Sequence, residues 1–217
     1  MLIDASVARS FAVTGWSRQL VAVTGGTIYL ADGVHGQHAD DPSELRNIRC
    51  ALQRRADQAD SGSGLASRAL AAVHGLDEML TLPPAELAVL SLDDDELELA
   101  VRLQSRQAED RAWRHSLGAK ARRLDAGESA SIAIASCRSL RFASDDEDAL
   151  ILWRALTGTR AYRTVNLLWQ LVDDSGVGEV DAREIHRQLQ ADDLHSLGGP
   201  PWETGRPTYE KSSPASK

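Results

Sequence analysis

Short apolar segments that alternate with helical patterns constrain the fold of this chain most strongly. Four segments have the length and apolar character of strands, at residues 1–3, 27–30, 87–92 and 140–144. The longer stretches between them have the spacing of apolar residues that is typical of helices. Strands that alternate with helices favour a mostly parallel sheet with helices on both faces. The sequence therefore predicts an α/β fold with three layers.

Acidic side chains stand at the ends of the first and the last predicted strand. Asp4 follows the first strand, and Asp145 and Asp146 follow the last one. Ligands of open parallel sheets bind beyond the carboxyl ends of the strands. Carboxylates beside a core are costly unless they are paired or bound to metal. Glu128 is also an acid beside apolar sequence, because it directly precedes a helical stretch of small apolar residues. We therefore expect Asp4, Glu128 and Asp146 to share a site.

Two helical patterns follow the second predicted strand. Asp41 is a suitable N-cap for the first of them, with Pro42 at the first helical position. These patterns indicate a helical insertion at about 42–80 within a domain of residues 1–195. Residues 196–217 are rich in proline, serine and glycine, and this composition predicts a disordered C-terminal tail.

The composition limits the class of protein. The formal net charge is −8, which argues against binding of nucleic acid by overall charge alone. A metal-dependent nuclease stays compatible with it, because bound cations invert the local charge. No apolar run reaches the length that spans a bilayer, and no secretory leader is visible. We expect a cytoplasmic protein with no membrane partner.

Four stretches have an order and spacing that bear on function: LIDAS (2–6), LDAGESASIAIA (124–135), LRFASDDEDA (140–149) and TVNLLWQLVDDSG (164–176). Together they resemble the PIN-domain family of nucleases, which are best known as toxins of prokaryotic toxin–antitoxin pairs. The first resembles the family's strand-ending aspartate, and the second the GE-x-x-A-I-x-x-A helix of one branch. The third is similar to the T-x-D or T-D-D segment, and the fourth to the late T-x-x-x-L-L helix.

This resemblance implies a PIN-like fold and a metal-dependent ribonuclease that hydrolyses RNA phosphodiester bonds with Mg²⁺ or Mn²⁺. Hard cations of this kind prefer carboxylate oxygens. Asp4 and Asp146 would be direct ligands, and Glu128 would bind directly or through water. A neighbouring acid, Asp145 or Asp148, would support metal binding without being a direct ligand. Those five acids are the candidate metal residues.

The sequence departs from the family at the second acid. The family usually has V-x-x-E after its second strand, whereas this chain has Gln37 at the glutamate position. A carboxylate a turn later would replace it, and the candidates are Asp40, Asp41 and Glu44. Ser6 and Ser144 are further accessory candidates, because their hydroxyl groups would orient water or a phosphate oxygen.

Basic residues at 102–123 are the candidate RNA contacts, and the alternative interpretation is an ordinary solvated helix face. The set comprises Arg111, Arg114, Lys120, Arg122 and Arg123. Two alternatives to an active nuclease stay open. The chain would be a catalytically weakened PIN scaffold that binds RNA or a protein without cleavage, or a toxin held inactive by an antitoxin. The resemblance also makes a homodimer a fair expectation.

Overall fold

A four-stranded parallel sheet forms the centre of the molecule. The computed structural model describes residues 1–38, 41–59, 63–117, 124–191 and 200–206. The strands are β1 (Leu2–Ile3), β2 (Ile28–Ala31), β3 (Leu87–Leu90) and β4 (Phe142–Ala143). Their spatial order is β3-β2-β1-β4, and every pair is parallel. The predicted α/β fold with a parallel sheet is confirmed.

Helices connect and cover the strands. In chain order they are α1 (Ala5–Val13), α2 (Ser17–Val23), α3 (Asp32–His35), α4 (Glu44–Gln58), α5 (Gly64–Leu80), α6 (Asp94–Gln104), α7 (Ala108–Ser116), α8 (Ala126–Cys137), α9 (Glu147–Thr157), α10 (Thr164–Asp174) and α11 (Glu179–Ala191). A short helix at 202–206 follows. No helix among the described residues has both the length and the apolar character needed to cross a membrane.

The small residues of α8 allow this helix to lie directly on the sheet. All of its residues from 129 to 135 are buried, and the helix packs on β1 and β2. Helices α6 and α9 pack against α8 in turn, while α1 packs with α2, α5 and α10. The sheet is thus flanked by helices, as expected of a three-layer α/β fold.

The two helices of the predicted insertion, α4 and α5, pack on each other and on α1. Helix α5 approaches α1 closely at Gly75, where a Cβ atom would lie 1.8 Å from the carbonyl oxygen of Ala12. Only glycine fits at this distance, so α5 is held tightly against the helix that begins at Asp4. The insertion therefore supports the first strand–helix unit.

The prediction of a disordered tail is wrong for residues 200–206. The indole ring of Trp202 is only 4% exposed and stacks on Trp169, with 4.5 Å between ring centroids. Trp169 Nε1 donates a hydrogen bond of 2.8 Å to the carbonyl oxygen of Trp202, and Asn166 Nδ2 donates one of 2.7 Å to Gly205. The apolar area of one tryptophan outweighs the unfavourable composition of the segment. Residues 196–199 and 207–217 lie outside the described residues.

Candidate active site

Adjacent parallel strands bring the first and last acidic segments together. Ile3 of β1 pairs with Ala143 of β4, and the backbone N–H of Asp4 donates to the carbonyl oxygen of Ala143 at 3.0 Å. The residues that follow each strand therefore emerge side by side at the carboxyl edge of the sheet. This is the edge at which ligands of open α/β sheets bind.

The carboxylate of Asp4 is buried and held in one orientation. The residue is 3% exposed and is the N-cap of α1. Its Oδ1 atom accepts hydrogen bonds from Ser6 N at 2.9 Å, Ser6 Oγ at 2.6 Å and Val7 N at 3.1 Å. Burial raises the pKa of Asp4 to about 6, although hydrogen bonds from Ser144, Ser6 and Val7 oppose that shift. A carboxylate in this setting is preorganised and half-ionised near pH 6.

The hydroxyl groups of Ser6 and Ser144 connect the two strand ends. Ser6 Oγ donates to Asp4 and accepts a hydrogen bond of 2.9 Å from the backbone N–H of Asp145. Ser144 is fully buried, and its Oγ accepts a hydrogen bond of 3.0 Å from the N–H of Asp146. Both serines lie at the expected site, and both act on the orientation of acids there.

A small pocket of about 80 Å³ opens beside Asp4. Three carboxylates from the first turns of three helices line it, namely Asp4 at the start of α1, Glu44 at the start of α4 and Glu128 at the start of α8. The remaining lining residues are Ala5, Ser6, Arg9 and Ile48. Glu44 reaches the N-terminal turn of α8, where its Oε2 atom lies 2.6 Å from the position that a Cβ atom on Gly127 would take.

Burial and mutual repulsion act together on the two glutamates. The pKa of Glu128 is raised to about 8, first by burial and then by the negative charges of Asp125, Asp146 and Asp4. The pKa of Glu44 is raised to about 7 by burial and by the charges of Asp125 and Asp4. These couplings show that the acids share one electrostatic environment. Strongly shifted acids in a cleft are typical of functional sites, although ion-pair networks also produce them.

The acids that follow β4 have different surroundings. Asp146 is the N-cap of α9, where its Oδ1 accepts a hydrogen bond of 2.9 Å from Ala149 N, and its charge acts on Glu128. Asp145 is buried, and its two oxygens accept hydrogen bonds from the backbone N–H and the hydroxyl of Thr164. Asp145 therefore holds the start of α10, and it does not line the pocket. Neither Asp146 nor Asp148, which lies in the first turn of α9, lines the pocket.

Glu44, and not Gln37, supplies the additional carboxylate of the pocket. Gln37 is exposed, and its Nε2 donates to Ser91 Oγ beyond the end of β3. Asp41 Oδ2 accepts a hydrogen bond of 2.7 Å from His38 N and does not line the pocket. Of the three replacement acids expected from the sequence, Glu44 lies at the site, and Asp40 falls outside the described residues.

The structure describes two of the five expected RNA contacts, Arg111 and Arg114, and neither lines the pocket. Arg114 is 5% exposed, and its guanidinium donates to the carbonyl oxygens of Arg102 at 2.7 Å and Ser105 at 2.8 Å. The prediction that Arg114 contacts RNA is wrong, because this side chain closes the carboxyl end of α6. Arg111 is exposed on α7. Lys120, Arg122 and Arg123 lie outside the described residues.

Arg9 is the residue of the pocket that sequence reasoning missed. It lies on α1 and lines the pocket beside the three carboxylates. The available signal was the position of one charged residue in an otherwise small and apolar helix, ASVARSFAV. An arginine in such a helix usually covers apolar surface with its alkyl stem, so this pattern alone does not indicate a site.

The pocket does not match a preformed metal site. Within the part of the chain that the structure describes, no three histidine, cysteine, aspartate or glutamate side chains are grouped closely enough to hold an ion. Comparisons with protein-family models, with curated proteins and with solved structures find no match. Function is therefore inferred from the pocket itself, with the PIN resemblance of the sequence beside it.

Proposed function

We propose that this protein is a metal-dependent ribonuclease that hydrolyses phosphodiester bonds of RNA. One observation carries the proposal: the carboxylates of Asp4, Glu44 and Glu128, from three helix starts, line one pocket at the carboxyl edge of a parallel sheet. The charge of Asp146 reaches the same group of acids. The RNA substrate is inferred from the four sequence motifs, whose order resembles that of the PIN family.

The chemical nature of the donors suits a hard divalent cation, although no three acids of the described residues are grouped closely enough to hold one in this arrangement. Carboxylate oxygens are the ligands that Mg²⁺ and Mn²⁺ prefer, and both ions keep several of their waters. The raised pKa values of Glu44 and Glu128 arise in part from neighbouring negative charges. A cation between these groups would relieve that repulsion. We expect Asp4, Glu44 and Glu128 to hold it, with Asp146 as a fourth donor.

The chain's own residues would position the metal ligand Asp4 and attract the phosphate of the substrate. Asp4 is fixed by the backbone N–H groups of residues 6 and 7 and by the hydroxyl of Ser6, so its position needs little rearrangement. The amino-terminal ends of α1, α4 and α8 meet at the pocket, and their dipoles favour an anion such as a phosphate. A bound cation would activate water for attack on phosphorus and stabilise the leaving oxygen.

A second candidate function is an RNA-binding or protein-binding scaffold of PIN type that does not cleave. The observation that favours it is the lack, among the described residues, of three acids grouped closely enough for one ion. An antitoxin partner and a homodimer stay predictions of the resemblance. Cleavage of RNA by the purified protein separates the two candidates.

The first test compares two variants at neighbouring positions. Glu44→Gln is expected to lower the rate of Mn²⁺-dependent cleavage of single-stranded RNA by about a hundredfold, because a charged donor of the pocket is lost. The matched variant Gln37→Glu is expected to change the rate less than about threefold, because Gln37 contacts Ser91 outside the pocket. A large gain from Gln37→Glu would show that position 37 belongs to the site after all.

The second test uses the pH dependence of stability in EDTA. A glutamate whose folded pKa lies near 8, against an ordinary value near 4, stabilises the fold at low pH relative to high pH. That contribution is complete below pH about 4 and is lost as the pH rises to 8. We expect the free energy of unfolding of Glu128→Gln, measured in urea, to match that of wild type at pH 4 and to exceed it at pH 8. Equal differences at both pH values would contradict the raised pKa.

A further inference from the structure

Arg9 is the one cationic side chain among the residues that line the acidic pocket. It is half-buried on α1, one turn beyond Asp4. Its Nε atom is buried and has no hydrogen-bond partner in the structure. A buried donor without a partner is costly, so such a group points to a ligand that would accept its hydrogen bond.

Several other arginines of the described residues form ion pairs with carboxylates. Arg49 pairs with Asp77, Arg138 with Glu96, and Arg163 with Glu147. No ion pair of this kind joins Arg9 to a carboxylate of the described residues, even though three carboxylates line its pocket. The guanidinium is therefore placed near the acids without being neutralised by direct contact.

We infer that Arg9 binds a phosphate group of single-stranded RNA at this pocket. The inference rests on the proposed function, because it names how the same site would hold its substrate. A phosphate that approaches three carboxylates is repelled by their negative charge, so a cationic side chain is needed beside it. Arginine offers a planar set of donors that matches two phosphate oxygens. The helix starts at the pocket present further N–H groups to the same anion.

The competing role for Arg9 is compensation of charge within the protein. Its positive charge lowers the pKa of Glu44 and that of Asp145, against the larger opposing effect of burial. The two roles predict different results when Arg9 is replaced. Loss of a phosphate contact weakens RNA binding but does not weaken cation binding, because removing a positive charge beside the carboxylates favours a metal ion. Loss of a structural charge would disturb the fold or both kinds of binding.

The test measures binding without cleavage. A fluorescent single-stranded oligoribonucleotide is titrated in EDTA at pH 6, where Glu44 and Glu128 hold most of their protons. Arg9→Gln is expected to raise the dissociation constant about tenfold or more, and Arg9→Lys by less, because a charge-assisted hydrogen bond is lost or weakened. The control Arg18→Gln is expected to have little effect, since Arg18 is exposed and pairs with Glu86.

A titration of Mn²⁺ at pH 8 completes the experiment. Arg9→Gln is expected to bind Mn²⁺ at least as tightly as wild type. The inference is overturned if Arg9→Gln binds the oligonucleotide as wild type does, if wild type does not bind it, or if Mn²⁺ affinity falls together with RNA affinity. RNA binding that depends on Arg9 in a wild-type protein that cleaves nothing would support this inference and reject the proposed hydrolysis.

Discussion

Replacing Asp4 with asparagine is expected to lower the rate of Mn²⁺-dependent RNA cleavage by at least about a thousandfold, which corresponds to roughly 4 kcal/mol of transition-state stabilisation. Asp4 is the acid that lies at both the end of β1 and the start of α1, and it lines the pocket. Asparagine keeps the shape of this side chain but removes the charge that would hold a cation. The measurement is the single-turnover rate on single-stranded RNA.

The same variant is expected to remain folded. Asparagine is as good an N-cap as aspartate, so its oxygen can still accept the hydrogen bonds of Ser6 and Val7. Removal of a buried charge also relieves desolvation at pH 8, because the pKa of Asp4 is about 6. Thermal unfolding should therefore occur at the wild-type temperature or above it. A variant that is well folded and cuts at more than about a tenth of the wild-type rate would exclude Asp4 from the chemistry.

Replacing Trp202 with alanine is expected to lower the free energy of unfolding by about 3–5 kcal/mol. Trp202 is buried and stacked on Trp169, and the segment around it bonds to α10 through Asn166 and Trp169. The loss of so large a side chain would leave a cavity beside α10. Urea unfolding followed by far-ultraviolet circular dichroism measures the change.

A second tryptophan serves as the control for this variant. Trp113 is only partly buried, and its ring is covered by the guanidinium of Arg102 at 3.9 Å. We expect Trp113→Ala to lower the free energy of unfolding by roughly 1–2 kcal/mol, because less apolar area is removed from the protein interior. If Trp202→Ala proved no more destabilising than Trp113→Ala, residues 200–206 would not be part of the folded domain.

Much of the fold could be predicted from local patterns. The four strands were recognised as short apolar segments, and the parallel sheet followed from their alternation with helices. The helical stretch of small apolar residues after Glu128 was also recognised, and it forms α8. Asp4 was recognised because a strand end is a local feature that needs no knowledge of distant residues.

Which residues form the site depends on contacts between residues that are distant in sequence, and local sequence patterns do not reveal such contacts. Glu44 and Gln37 were both candidates from spacing, and only the packing of α4 and α8 separates them. Asp145 and Asp146 are adjacent in sequence, yet Asp145 turns to Thr164. Arg114 was expected to contact RNA because of its basic neighbours in sequence. It is buried because it bonds to the last carbonyls of α6, and such a role leaves no mark in composition.

Binding of Mn²⁺ to the metal-free protein at pH 8, followed by the loss of the electron paramagnetic resonance signal of free Mn²⁺, tests the central claim most directly. We expect wild type to bind about one or two ions per chain, as nuclease sites do. Asp4→Asn and Glu44→Gln should each weaken that binding by at least about tenfold, while Gln37→Glu should bind as wild type does. A wild-type protein that binds no Mn²⁺, or binding that is the same in all four proteins, would contradict a metal site at this pocket.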